Sequence, residues 1–138
     1  MNTLAVIIAL MNQLDTLSAV RVMGVFLPAD DDGKLPKDAM PALVVQRAGA
    51  TRPYEAYEET MTVRCLCYGT THDQADGVYR ALVAALSNSS HHVATIGAAN
   101  YSIQTRMTAG ATDAVEGPSL DNMLYRVDCT ISATISEI

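Results

Sequence analysis

The stretch from Ala56 to Leu86 constrains this chain more than any other. Its first part, Ala56 to Tyr68, alternates as a strand does. Met61, Val63, Cys65 and Cys67 fall on one face, and Thr60, Thr62, Arg64, Leu66 and Tyr68 on the other, because successive strand side chains point to opposite sides. At Gly69 the chain turns a tight corner and the period changes. From about Asp73 to Leu86, the residues Ala75, Val78, Ala81, Leu82, Ala85 and Leu86 recur at helical spacing. A strand that runs into an amphipathic helix buries both apolar faces when the helix folds back on the sheet.

The rest of the chain supplies partners for that unit. Leu4, Ile7, Ile8, Met11 and Leu14 share one face of an N-terminal helix, with Asn2 or Thr3 placed to cap it. Burying those five side chains contributes about 1.5–3 kcal/mol each before entropy is counted, so the helix should dock on the sheet. Val20 to Leu27 reads as a short strand ended by Pro28, and Ala42 to Ala48 as a second, bounded by Pro41 and Gly49. Ala50 to Glu55 reads as a turn leading into the long strand, so these neighbours are expected to be antiparallel. Tyr101, Ile103, Thr105 and Met107 alternate with Ser102, Gln104, Arg106 and Thr108 in a further strand. Gly110 to Pro118 reads as a loop, and Leu120 to Ile135 as a long final strand. Its residues Tyr125, Val127, Cys129, Ile131, Ala133 and Ile135 must face the core. The expected fold is α+β in a single domain over 1–138. It has a mainly antiparallel sheet of about five strands, two helices on one face and an extended loop at 28–41.

Composition narrows the function. With nine Lys and Arg against fifteen Asp and Glu, the net charge is −6, and the basic residues are scattered. A protein that grips phosphates needs the opposite balance, so specific nucleic-acid recognition is not expected. The apolar run Leu4 to Leu10 lacks a preceding cation and is too short to span a bilayer, so neither a secretory signal nor a membrane segment is expected. Three cysteines are an odd number, and Cys65 and Cys67 on one strand face are poorly placed to close on each other. They read as reduced, buried thiols.

The chemical motifs are few. Asp30-Asp31-Asp32 lies in a loop with three prolines, but lacks the alternating oxygen ligands and closing Glu of an EF-hand. It reads as a solvated acidic loop. Glu58 and Glu59 face opposite ways on a strand, so they do not form a catalytic pair. His91 and His92 stand in a polar break, Ser87 to His92, without further ligands at metal-binding spacing; His72 stands alone. No Gly-rich phosphate loop, G-x-S-x-G elbow or H-E-x-x-H helix is present. Enzymatic activity, cofactors and metals are therefore not expected. The competing reading is a small-molecule-binding or enzymatic α+β domain using Cys65 and Cys67 or the His91/His92 pair.

The order of segments resembles the tail terminator, or tail completion, proteins of long-tailed bacteriophages. The likeness runs through the N-terminal helix, the strand Pro41-Ala-Leu-Val-Val-Gln46 and the strand Thr60 to Tyr68. It continues in the helix Ala75 to Leu86 and in the final strand Tyr125 to Ile135 after an acidic, Gly-containing loop. It is a likeness of order and character over nearly the whole chain. The long Pro28–Pro41 loop departs from the family pattern.

The resemblance implies a virion protein of the tail or neck, assembled in the host cytoplasm. Such a protein forms a ring, usually of six copies, that caps the tail tube, stops its polymerisation and meets the head connector. Its partners would be other copies of itself, the tail tube protein and a head-closure protein, with DNA passing through the lumen unbound. A head-closure or connector role is the near alternative. Contacts would come from the loops Ala29–Met40, Ala50–Glu55 and Ala109–Pro118, which carry Asp30, Asp31, Asp32, Arg52, Tyr54, Asp113 and Glu116, together with Arg47.

Overall fold

The computed structural model describes residues 3–14, 17–24, 40–51, 58–88, 91–116 and 124–138. Two helices and six strands occur among them. Helix α1 spans Thr3–Gln13 and is followed by the short strand β1, Arg21–Met23. Strand β2 spans Ala42–Thr51, β3 Glu58–Gly69, and helix α2 His72–Asn88. The chain ends with β4 (His91–Ile96), β5 (Ala99–Glu116) and β6 (Leu124–Glu137). The strands form one sheet in the order β1-β2-β3-β6-β5-β4. The β1–β2 pairing is parallel and every other is antiparallel, so the sheet is mixed.

Both helices lie on one face. The main core joins Val6, Ile7, Leu10 and Met11 of α1 and Ala75, Val78, Leu82 and Leu86 of α2 to one parity of the strands. That parity is the one expected: Met61, Val63, Cys65 and Cys67 on β3, and Val127, Cys129, Ile131, Ala133 and Ile135 on β6, with Tyr125 packed alongside. The α1 stripe is rotated from the expected one. Val6 and Leu10 are buried, whereas Leu4, Ile8 and Leu14 are only partly so. In a helix this uniformly apolar, more than one stripe satisfies the spacing, and the sheet decides which is covered.

The corner between β3 and α2 is built from named contacts. The Gln74 N–H donates to Thr71 Oγ1 at 3.1 Å, and Gln74 Oε1 accepts from the Thr70 N–H at 2.8 Å and the Thr70 hydroxyl at 3.0 Å. Thr71-His-Asp-Gln74 is thus a capping box, shifted so that Gln74 serves the residue before the cap. Gly69 sits against this turn so closely that only a residue without a side chain fits.

The structure corrects several boundaries. The segment expected as a polar break contains the end of α2 and the start of β4, a strand the sequence reading omitted. It pairs with β5 through a two-residue turn, where Gly97 takes φ 60°. Two-residue hairpin turns require such a left-handed conformation. The expected loop from Gly110 is strand as far as Glu116, paired with β6 through register shifts at Met107/Ala109 and Ala109/Thr112. Bulges let a strand carry glycine and small residues without losing its partner. β2 runs past Ala48 to Thr51, with an irregularity between Arg47 and Gly49; of the expected strand Val20–Leu27, Arg21–Met23 form β1, and residues 25–27 lie outside the described residues. The sheet is therefore mainly antiparallel, as expected, but it is mixed and has six strands among the described residues where about five were expected.

Candidate functional site

With both helices on one side, the other sheet face is divided in two. At one end Ala42, Val44, Leu66, Tyr68 and Leu124 form a second, smaller apolar cluster, with Met40 packed against it. Beyond it the outward parity is polar. Rows run across the strands in register: Thr60 of β3 opposes Thr134 of β6, which opposes Gln104 of β5, which opposes His91 of β4. In the next row Thr62 opposes Ser132, which opposes Arg106. The hydroxyls of Thr60 and Thr134 lie 3.1 Å apart, and His91 Nε2 is 2.7 Å from Ser102 Oγ. Of these residues, Thr60, His91, Gln104, Arg106, Ser132 and Thr134 line a shallow depression of about 490 Å³, with Thr105 beside them.

A charge cluster separates the two regions. Asp128, 13% exposed, is held by two arginines: Arg64 Nη2 is 3.2 Å from Oδ2, and Arg126 Nε is 2.7 Å from Oδ1. The Arg126 contact is coulombic, since its N–H does not align with that oxygen. Beside this cluster, where β5 bulges, lies a smaller depression of about 200 Å³ that includes Gly110 and Thr112.

Beneath the sheet, on the helix side, the three thiols converge. Cys65 directly opposes Cys129 across β3 and β6, Cys67 lies on the same face, and all three are buried and free. Hydrogen bonding with Cys129, together with burial, pushes the Cys65 and Cys67 thiols up from their ordinary range. Cys129 is the thiol held lowest, because it takes hydrogen bonds from the other two, with burial opposing. These thiols line the core, away from the polar depression.

Of the site residues singled out in the sequence, the structure describes Arg47, Asp113 and Glu116. Asp30, Asp31, Asp32, Arg52 and Tyr54 lie outside the described residues. Arg47 is exposed on β2, its Nε donating to Met61 Sδ at 3.2 Å. Asp113 is on β5, 3.4 Å from His72 Nε2 at the start of α2, and Glu116 ends that strand. β2 and β5 are three strand spacings apart, ~14 Å, so Arg47 and Asp113 belong to different regions. At 54% and 70% exposure, the His72–Asp113 contact is a weak surface pair. Glu58 is exposed and Glu59 buried, on opposite faces as expected. His91 and His92 also part, one to each face. Among the described residues no group of three or more His, Cys, Asp or Glu is arranged to hold a metal ion.

The residues that the sequence reading missed are Gln104, Arg106 and Ser132. Each was legible as outward-facing, but their convergence depends on strand order and register. No family model matches the chain, and no curated protein matches it. Among the described residues no helix is long and apolar enough to cross a membrane.

Proposed function

We propose that this chain is a structural assembly subunit, a ring-forming tail terminator that caps a phage tail tube and presents the surface for head joining. The observation that carries the reading is the sheet edge at β4. The strand order ends there, so one side of β4 has no strand partner among the described residues. Val93 is 52% exposed and Ile96 39% exposed on that strand. Ile138, 74% exposed, is tied to the adjoining hairpin through its N–H to the Asn100 carbonyl at 2.9 Å.

Exposed apolar side chains beside an unpaired strand edge are a recognised template for association. Gln13 occupies one edge carbonyl, that of Thr95, with its side-chain amide at 3.2 Å. A head-to-tail contact of this edge with a different surface of the next copy closes a ring when the rotation per subunit divides the circle. Standard interfaces bury roughly 800 Å² per partner, so two would cover about a fifth of the 7381 Å² surface.

Mass measurement under native conditions tests the reading. The expected result is a closed oligomer that Val93→Glu with Ile96→Asp reduces to monomer without loss of secondary structure. A monomer at every concentration, together with absence from purified virions, would overturn it. Tails assembled without the protein separate the two neck roles. Over-long or unfinished tails mean terminator, and normal free tails mean head closure.

A further inference from the structure

The polar depression on the face opposite the helices has a donor chemistry that an assembly role leaves unexplained. Arg106 is exposed, and its side chain makes no hydrogen bond or ion pair among the described residues. Of the carboxylates on that face, Asp128 is already held between Arg64 and Arg126. Glu58 opens β3 one row beyond Thr60, opposite Ser136, and does not line the depression. Among the described residues the lining therefore holds a guanidinium, a carboxamide, hydroxyls and an imidazole, and no carboxylate. Among the described residues this concavity thus offers donors and no acid, in a protein of net charge −6.

We propose that this depression binds a single oxyanion group of the phosphate type, free or esterified. Arg106 supplies the charge and a forked pair of N–H donors. The Gln104 amide and the Ser132 hydroxyl supply neutral donors from β5 and β6. Donors arriving from two strands, beside the paired hydroxyls of Thr60 and Thr134, suit a tetrahedral group with acceptors on several sides. At about 490 Å³, the space falls within the range of small-ligand sites, so a sugar phosphate fits as well as a bare ion. One unpaired cation engages one phosphate, which distinguishes this site from a nucleic-acid groove. A single contact gives a salt slope of only about 0.9, and a groove that holds a strand needs several.

Titration calorimetry on the full-length chain tests the proposal with inorganic phosphate, ribose 5-phosphate and a short single-stranded oligonucleotide, at ionic strength matched with chloride. Saturable binding of phosphate or ribose 5-phosphate is expected, weakened at least about 10-fold in Arg106→Gln and by a smaller factor in Ser132→Ala. Melting of both variants in chloride alone checks that the fold is intact. Tighter binding of ribose 5-phosphate assigns the site to an ester, and equal binding assigns it to the free ion. Absence of saturable binding, or binding unchanged in Arg106→Gln, overturns the proposal. An oligonucleotide bound with a salt slope of several overturns it in favour of a polyanion groove. Neither result bears on the oligomeric state, so this test and the ring test fail independently.

Discussion

A methyl group added at Gly69 would lie 2.5 Å from the Ala75 backbone nitrogen, 2.8 Å from Gln74 Cβ and 2.9 Å from the Gln74 carbonyl carbon. Ordinary contacts begin at 3.4 Å, so the first turn of α2 would have to retreat by about 0.5–0.9 Å. The atoms in the way are mostly backbone, so no side-chain rotation relieves the clash. Retreat would stretch the Thr70–Gln74 bond of 2.8 Å and the Ala75 N–H to Thr71 carbonyl bond of 3.1 Å, and would lift Ala75 out of the core. Overpacking of this kind costs about 1–3 kcal/mol, and a weakened cap adds about 1 kcal/mol. Gly77 is the internal control. It lies in the middle of α2 with no atom within 4 Å of an added Cβ, so Gly77→Ala should gain about 0.5–1 kcal/mol of helix stability. For 138 residues the unfolding entropy is about 0.29 kcal/mol/K, so 1 kcal/mol moves the melting temperature by about 3.4 °C. Gly69→Ala should therefore melt about 7–14 °C lower, and Gly77→Ala about 2–3 °C higher. Both are measured by circular dichroism at one fixed protein concentration, because association shifts apparent stability. A Gly69→Ala protein that melts within about 2 °C of the parent would refute the account of the corner.

Two further outcomes follow from the same elements. Thr71→Ala removes the oxygen that accepts the Gln74 N–H at 3.1 Å, and should cost about 1 kcal/mol in urea unfolding, whereas Thr71→Ser should restore most of it. The thiols give a pH dependence of known sign. Cys65 and Cys67 are raised in the folded chain, so their contribution is complete below the unfolded thiol value of about 8.5. It is lost as pH rises above that, when the unfolded chain releases protons that the folded one keeps. The loss approaches about 1.4 kcal/mol per thiol per pH unit. Cys129, lowered to about 4, acts with the opposite sign at pH values below about 8.5 and adds nothing further above it. The urea midpoint should fall between pH 8.5 and 9.5 in the parent and flatten in Cys65→Ala/Cys67→Ala; an equal slope in both would count against the buried thiols.

How much of this was legible in the sequence follows from the range of each interaction. The β3 parity was readable because Met61, Val63 and Cys65 alternate with Thr60, Thr62 and Arg64, and Cys67 continues the same face where Leu66 and Tyr68 make the other face apolar too. The α2 stripe was readable because Val78, Leu82 and Leu86 repeat at helical spacing. β4 was missed because His91-His92-Val93-Ala94-Thr95-Ile96 carries a weak pattern. Only Ala94 among these six is fully buried, as befits an edge strand with one exposed face. The strand beyond Gly110 was missed for a different reason. Ala109, Gly110 and Ala111 have low strand propensity, and the segment is held extended by the pairs on either side of its bulge, Ala109 with Thr130 and Thr112 with Asp128, contacts that no local signal contains. The parallel β1–β2 pair depends likewise on where a distant segment returns.

The same distinction governs the candidate site. Local chemistry points to residues with unusual neighbours, such as three consecutive aspartates or two adjacent histidines, and adjacency on a strand sends side chains to opposite faces. His91 and His92 illustrate the failure: sequence contact becomes spatial separation across the sheet. Gln104, Arg106 and Ser132 illustrate the converse. They lie up to 28 positions apart in the chain and become neighbours only because β5 pairs with β6 in the register that sets Arg106 opposite Ser132 and Gln104 opposite Thr134. The helices on the other face supply the remaining condition. By taking up the apolar parity of the central strands, they leave the polar parity without a helix among the described residues, and the shallow concavity lies on that side of the sheet. The chemistry of this face is thus a consequence of core formation on the opposite one. A substitution that shifted the β5–β6 register by one residue would bury Arg106 and expose Met107, and so abolish the depression and the fold together.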